Sequence, residues 1–290
     1  MKILICSDAS EQAERALRLG AAIAAGCQAE VTLLGIQESR GDSQALLDSL
    51  KRGQALLEDK KIHAELVTKS GKPIEEIIKH TRQTVYDLVV IGAPRKETRG
   101  AFWMASKTYK LIKEIRSPVL SVAGKTNAIN RILICSGGKR YIDNAVGLTG
   151  EIARGVAAAV TLLHVTSEPP GILARLPHIE QDTDFVLRSQ SELAQNLRRE
   201  KETLESLSVR TKVKLRHGEV LQQILREIRE GNYDLVVTGS ALSRSFRTYV
   251  LGDISREIVN RASCAVLVAR GQQMPAALPF KWFSKTPRPT

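Results

Sequence analysis

Lys2-Ile-Leu-Ile-Cys-Ser7 returns as Arg131-Ile-Leu-Ile-Cys-Ser136, a cation, an apolar run and a serine repeated at an offset of 129 residues. Self-similarity at such a period marks a duplicated structural unit. The same offset carries Val31-Thr-Leu-Leu34 onto Val160-Thr-Leu-Leu163. Tyr86-Asp-Leu-Val-Val90 then recurs as Tyr233-Asp-Leu-Val-Val237, where the offset has grown to 147, so the second copy holds 18 additional residues before this segment. The new offset persists: Gly71 maps to Gly218, Gly92 to Gly239 and Val119-Leu120 to Val266-Leu267. A chain of 290 residues is the right length for two domains that each bury a core. The reading divides it into 1–126, 127–270 and a basic, Pro-rich tail, 271–290.

Within each copy, short β-rich apolar runs alternate with helical stretches, the pattern of a parallel sheet with crossover helices. In the first copy strands are expected near Lys2 to Ser7, Val31 to Ile36, Ala64 to Thr68, Asp87 to Ile91 and Val119 to Val122. Helices are expected at Glu11 to Ala25, Ser43 to Glu58, Ile74 to Thr81 and Lys107 to Ile115. The first of these starts at Asp8-Ala-Ser-Glu11, read as an Asp8 cap with a glutamate three residues on. Parallel strands buried on both faces need right-handed crossovers, so each copy is an α/β domain: an open five-stranded parallel sheet with helices on both faces, Rossmann-like. Ligands of such sheets bind beyond the carboxyl ends of the strands, where the strand order reverses. The fifth strand would be an exposed apolar edge. Val119 to Val122 is therefore expected to lie against Val266 to Val268 across an internal two-fold, making the chain its own pseudo-dimer.

Composition narrows the partners. The formal net charge is +12, from 43 Lys and Arg against 31 Asp and Glu, which favours polyanions. No run of 18 apolar residues occurs and Met1 leads directly into a strand, so stable membrane insertion is not expected and the cytoplasm is the expected location. The four cysteines lack CxxC spacing and read as reduced thiols. His63, His80, His164, His178 and His217 show no ligand spacing with one another or with the cysteines, so no metal is expected, and His164 reads as structural, at a sheet end. The added segment from Glu168 to Ser189 reads as a loop with a helix. The tail carries Pro275, Pro279, Pro287 and Pro289, too many for a helix.

The β1 end at Asp8, the Val-Thr-Leu-Leu second strand, the Tyr-Asp-Leu-Val-Val-x-Gly fourth strand and the closing Pro-Val-Leu or Ala-Val-Leu strand together resemble the universal stress protein family. The resemblance covers about Met1 to Ala123 and Arg131 to Ala269. It implies a nucleotide-type fold, often dimeric, whose ATP-binding members carry an aspartate closing β1 and a G-x2-G-x9-G-(S/T) loop after β4. Glycines there let backbone N–H groups approach phosphates at a helix start. Carried onto this chain, the resemblance makes Asp8, Gly92, Arg95, Ser106, Lys107, Gly239 and Gly252 the candidate sites for ATP or ADP.

Both copies depart from that pattern. In the first, Arg95 and Ala105 stand at the second and third glycines while Ser106 keeps the hydroxyl. In the second, Gly137 replaces the β1 aspartate, Leu242 the second glycine and Asp253 the hydroxyl. A carboxylate at a helix start competes with phosphate for the same N–H groups, so Asp253 counts against triphosphate there. Arg95 offers a charge-assisted contact instead, within a basic surface that continues through Lys107, Lys110 and Lys113. Taken singly, Gly92 and Gly239 also read as tight turns and Asp8 as a helix cap. No nucleophile elbow, Walker loop or carboxylate pair is present, so the reading is a non-enzymatic stress-response or signalling protein with degenerate nucleotide binding, mainly in the first copy. Two alternatives stand beside it: a nucleotide hydrolase or transferase on the same fold, and a scaffold that holds nucleic acid or an acidic protein through its basic surface. A homo-oligomer is a further candidate assembly.

Overall fold

The computed structural model describes residues 1–38, 43–93, 109–124, 128–138, 142–166, 183–242, 249–250 and 252–270. The first copy runs β1 (Lys2–Ser7), α1 (Glu11–Cys27), β2 (Glu30–Gln37), α2 (Ser43–Asp59), β3 (Ala64–Ser70), α3 (Pro73–Gln83), β4 (Leu88–Gly92), α4 (109–114) and β5 (Val119–Val122). The second runs β6 (Arg131–Cys135), α5 (Asp143–Gly155), β7 (Ala159–Thr166), α6 (Thr183–Arg188), α7 (Glu192–Ser206), β8 (Thr211–His217), α8 (Val220–Gly231), β9 (Leu235–Leu242), β10 (Tyr249–Val250), α9 (Asp253–Arg261) and β11 (Ala265–Arg270). Helix α6 falls inside the inserted segment, whose residues 167–182 lie outside the described residues.

Each copy forms a parallel sheet of five strands, in the order β3-β2-β1-β4-β5 and, by symmetry, β8-β7-β6-β9-β11. The two sheets are one. β5 pairs antiparallel with β11, with Val119 opposite Val268, Leu120 opposite Leu267 and Ser121 opposite Val266. That is the expected pairing across the internal two-fold, and it removes the apolar edge that each half would otherwise expose. The short β10 pairs with β9 off the main order. Alternate side chains of the strands enter two cores, one under α1, α2 and α5 with Ile3, Ile5, Leu33 and Ile132, the other with Leu4, Leu34, Val89 and Leu133 against α3 and α8.

The repeated Tyr-Asp pair has a structural task in both copies. Asp87 accepts the Lys2 N–H at 2.7 Å, and Asp234 accepts those of Asn130 and Arg131 at 2.8 and 3.0 Å, so each aspartate satisfies the start of the neighbouring first strand. The cation that opens that strand lies over the tyrosine ring, Lys2 Nζ 5.6 Å from the Tyr86 centroid and Arg131 Cζ 5.3 Å from that of Tyr233. Tyr86 bonds His80, and Tyr233 bonds Glu227 at the equivalent position, both from the helix preceding the strand.

The start of α1 corrects one detail. Ser10, not Asp8, is the N-cap, its Oγ accepting the Ala13 N–H at 3.2 Å. Asp8 forms the preceding turn by accepting the Ser10 N–H at 3.0 Å, with Ala9 held at φ 62°. Serine and aspartate are both good caps, and the left-handed residue between them decides which one the helix uses.

Where α1 meets α5, the equivalent glycines Gly26 and Gly155 touch backbone to backbone. A Cβ on Gly26 would sit 2.2 Å from the Gly155 carbonyl oxygen, and one on Gly155 2.7 Å from the Gly26 carbonyl carbon. No side chain can rotate away from such a contact. Gly26→Ala is expected to destabilise by about 2 kcal/mol in urea unfolding. Gly147→Ala, on α5 with no described residue near its Cβ position, should be neutral or stabilising by up to roughly 1 kcal/mol. Equal midpoints for the two variants would contradict this packing.

Candidate functional site

The strand order of each half reverses between its first and fourth strands, and there the carboxyl ends of β1 and β4, or of β6 and β9, open a crevice. In the first half β1 and β4 are neighbours with Ile5 opposite Val90, so Asp8 and Gly92 reach the same edge. Asp8 is solvent-exposed. Gly92 is pressed against the first turn of α1: a Cβ there would lie 2.6 Å from the Gln12 carbonyl carbon and 2.8 Å from the Ala13 nitrogen. Glycine is needed here for close strand-to-helix approach. Arg95, Ser106 and Lys107 lie outside the described residues, as do Ala105 and the rest of the loop after β4. Lys110 and Lys113 follow on α4.

The second half is built differently. Among the described residues nothing lies within 4 Å of where a Cβ would be on Gly239 or Gly252. They are drawn together by Ser255, whose hydroxyl donates to the Gly239 carbonyl at 3.0 Å and bonds Thr238 at 2.7 Å from the first turn of α9. Gly252 is the N-cap of α9 and supplies no side-chain cap. Asp253 does not take the helix-start N–H groups as expected. Its side chain is 92 % exposed and lies 3.4 Å from the Arg256 guanidinium, so its obstruction of an anion is electrostatic rather than steric.

Beside this crevice lies a buried polar cluster that the motif comparison missed. Ser136 ends β6 and donates through Oγ to Glu200 of α7 at 3.0 Å, and also accepts the Gly138 N–H at 3.1 Å. Asn196 donates to the Gly138 carbonyl at 2.8 Å. His164 bonds the Ser136 carbonyl through Nδ1 at 2.9 Å, which fixes Nδ1 as the protonated nitrogen and gives the residue its expected structural role. Glu200 is 1 % exposed, and among the described residues its Oε2 has no hydrogen-bond partner. Burial pushes its carboxyl up to about 7; the nearby Asp143 charge adds to this, while Ser136 and Arg199 oppose it. Burial also lowers the pKa of His164. The first copy fills the same positions differently: Ser49 stands for Asn196, Gly53 for Glu200 and Gly35 for His164, and Leu50 packs against Gly35. Among the described residues no group of three or more His, Cys, Asp or Glu side chains could hold a metal ion.

The sequence model of the Universal stress protein family matches residues 1–123 and, again, 128–270. The chain belongs to the universal stress protein family, with two copies of its domain. This tandem universal stress protein is similar to a universal stress protein from Archaeoglobus fulgidus DSM 4304, at 18 % identity over 93 % of this chain and 98 % of that one, with a TM-score of 0.65. It is also similar to a protein of unknown function from Pseudomonas aeruginosa PAO1, at 15 % identity over 93 % and 92 % of the two chains, with a TM-score of 0.61. At these identities the likeness establishes the fold alone. A universal stress protein solved in complex with cAMP is 15 % identical over 42 % of this chain and 96 % of its own, with a TM-score of 0.36, which is too low to argue from. No curated protein sequence matches the chain. Among the described residues no helix of this universal stress protein is long and apolar enough to cross a membrane.

Proposed function

We propose that this universal stress protein is a non-enzymatic, cytoplasmic stress-response or signalling protein, divided as 1–126, 127–270 and a tail 271–290, that takes ATP or ADP weakly in the crevice of its first half. Asp8 serves the base or ribose, and Gly92, Arg95, Ser106 and Lys107 the phosphates. The observation that carries this reading is the contrast at the two switch points: an exposed carboxylate at Asp8, and Gly137 at the equivalent place in the second half. A ribose or an adenine amino group donates hydrogen bonds, and a carboxylate at the strand end accepts them more strongly than a neutral group.

Calorimetric titration with ATP tests the assignment. Asp8→Ala and Lys107→Ala are each expected to weaken binding about tenfold, the loss of one charge-assisted contact. Affinity unchanged in both variants would overturn it. That no described residue crowds the Cβ positions of Gly239 and Gly252 favours a second reading, in which the phosphates lie at the start of α9. That reading requires Gly252→Val to abolish the heat signal while Asp8→Ala leaves it intact.

A further inference from the structure

A groove of about 320 Å³ runs along the seam between the halves, lined by Val85 ahead of β4, Arg116 and Pro118 ahead of β5, Asn144 and Leu148 of α5, and Ala269 at the end of β11. The internal two-fold generates an equivalent corner, and there the chain leaving β5 forms the cover. Gly124, two residues past β5 at φ 73°, lies so close to Ser263 that a Cβ on it would sit 2.3 Å from that carbonyl oxygen. Arg15 of α1 donates to the Gly124 carbonyl at 2.9 Å. Leu19, one turn further along α1, is fully buried, and Ile129, five residues after Gly124, is 3 % exposed. At the offsets of the repeat, Gly124 corresponds to Gly271, Ser263 to Arg116, Arg15 to Asn144 and Leu19 to Leu148. The repeat thus runs one residue past β11 and keeps the glycine that the exit from β5 uses for its left-handed turn.

The seam groove shows apolar surface of the kind its counterpart hides. Leu148 is only partly buried, and Val85, at 82 %, is the most exposed large apolar side chain among the described residues. Arg270 serves the carbonyls of Ser117, Ile112 and Ile115, and Asp87 accepts the Lys2 N–H, so what the groove offers is chiefly Val85, Pro118 and Leu148. Residues 271–290 lie outside the described residues, but their sequence leaves β11 at this groove. Its first stretch, Gly271-Gln-Gln-Met-Pro-Ala-Ala-Leu278, is uncharged and carries two long aliphatic side chains. Four residues span at most about 14 Å, so Met274 stays within that distance of Arg270. Tethering at such short range gives a high effective concentration, and Pro275 and Pro279 reduce the entropy lost on ordering. A cavity of roughly 150 Å³ takes a benzene ring, so this groove has room for Met274 and Leu278 together, and a thioether suits an irregular apolar gap. From this geometry we infer that the seam groove is the docking site of the chain's own segment Gly271 to Leu278, whose Met274 and Leu278 cover Val85 and Leu148 as the chain after β5 covers the corner across the axis.

Methyl NOE spectroscopy on the full chain tests this. Cross-peaks are expected from the Val85 and Leu148 methyls to those of Met274 or Leu278. In a sample mixed from two differently labelled chains they should stay within one chain. Val85→Asp places a charge against the segment at a position too exposed to disturb the core. It should abolish the cross-peaks and return the Met274 methyl to its shift in a free peptide of residues 271–290. Absence of the cross-peaks in the wild type, or their survival in Val85→Asp, would overturn the inference. Cross-peaks between differently labelled chains would do so too, since the occupant would then be a second copy. ATP titration reports on the crevice alone, so this inference and the nucleotide assignment can fail separately.

Discussion

Arg270→Ala is expected to destabilise the protein by about 4 kcal/mol. The guanidinium at the end of β11 is 7 % exposed and donates to four acceptors: the carbonyls of Ser117 at 2.9 Å, Ile112 at 2.8 Å and Ile115 at 2.7 Å, and the Ser240 hydroxyl at 2.9 Å. Two of those carbonyls close α4, where a cation is favoured by the helix dipole and by unpaired oxygens. Truncation strips these buried acceptors at once and cuts a tie between the last strand of the second copy and the last helix of the first. Arg270→Lys should recover only part of the loss, because an ammonium has three donors and no planar fork. Urea unfolding measures both. A change below about 1 kcal/mol for the alanine variant would mean that water or rearrangement satisfies the carbonyls.

The second large effect depends on pH. The folded-state carboxyl of Glu200 is raised to about 7 from an ordinary 4.5, chiefly by burial. A raised folded value means that the native state binds the proton more tightly than the unfolded chain. The associated stability is fully present below the ordinary carboxylate range and is lost as pH rises through about 7. The gap amounts to about 3 kcal/mol. Glu200→Gln keeps an acceptor for Ser136 and cannot ionise. The stability of this variant minus that of the wild type should therefore rise by about 3 kcal/mol between about pH 4 and about pH 8, the other titrations cancelling in the difference. A flat difference would show that the carboxylate is solvated or paired in the native protein.

Much of the architecture was legible because the duplicated segments are the strands themselves. Lys2–Ser7 and Val119–Val122 form with the bounds that their β-branched runs suggested, and the apolar edge of β5 called for the partner it has in β11. The Tyr-Asp pairs keep one task in both copies, whereas the equivalent glycines do not: Gly92 is pressed against α1 and Gly239 is not. The differences between the copies were harder to read. Glu200 is one charge among many in Glu-Leu-Ala-Gln-Asn-Leu-Arg-Arg-Glu, and only its place three residues after Leu197 and four before Leu204 put it on the buried face. Arg270 reads as an exit charge at the end of an apolar strand, and its burial comes from the other copy. Gly92 and Asp8 were placed correctly at one sheet edge, but the close approach of α1 that Gly92 permits depends on a helix axis that no local pattern reveals.

Phosphoryl transfer requires a closely held, charge-neutralised phosphate chain and an oriented nucleophile. The first half has Arg95 and Ala105 at two of the three loop glycines, and the second carries a negative charge, Asp253, beside Gly252. Losing such elements together leaves little beyond background hydrolysis. The most direct measurement is phosphate release from ATP with Mg²⁺ or Mn²⁺ by the purified chain, beside Asp8→Ala. The expected result is no sustained release in either protein. Turnover above roughly one per second, within the range of ordinary enzymes, that disappears in Asp8→Ala would contradict a non-enzymatic role.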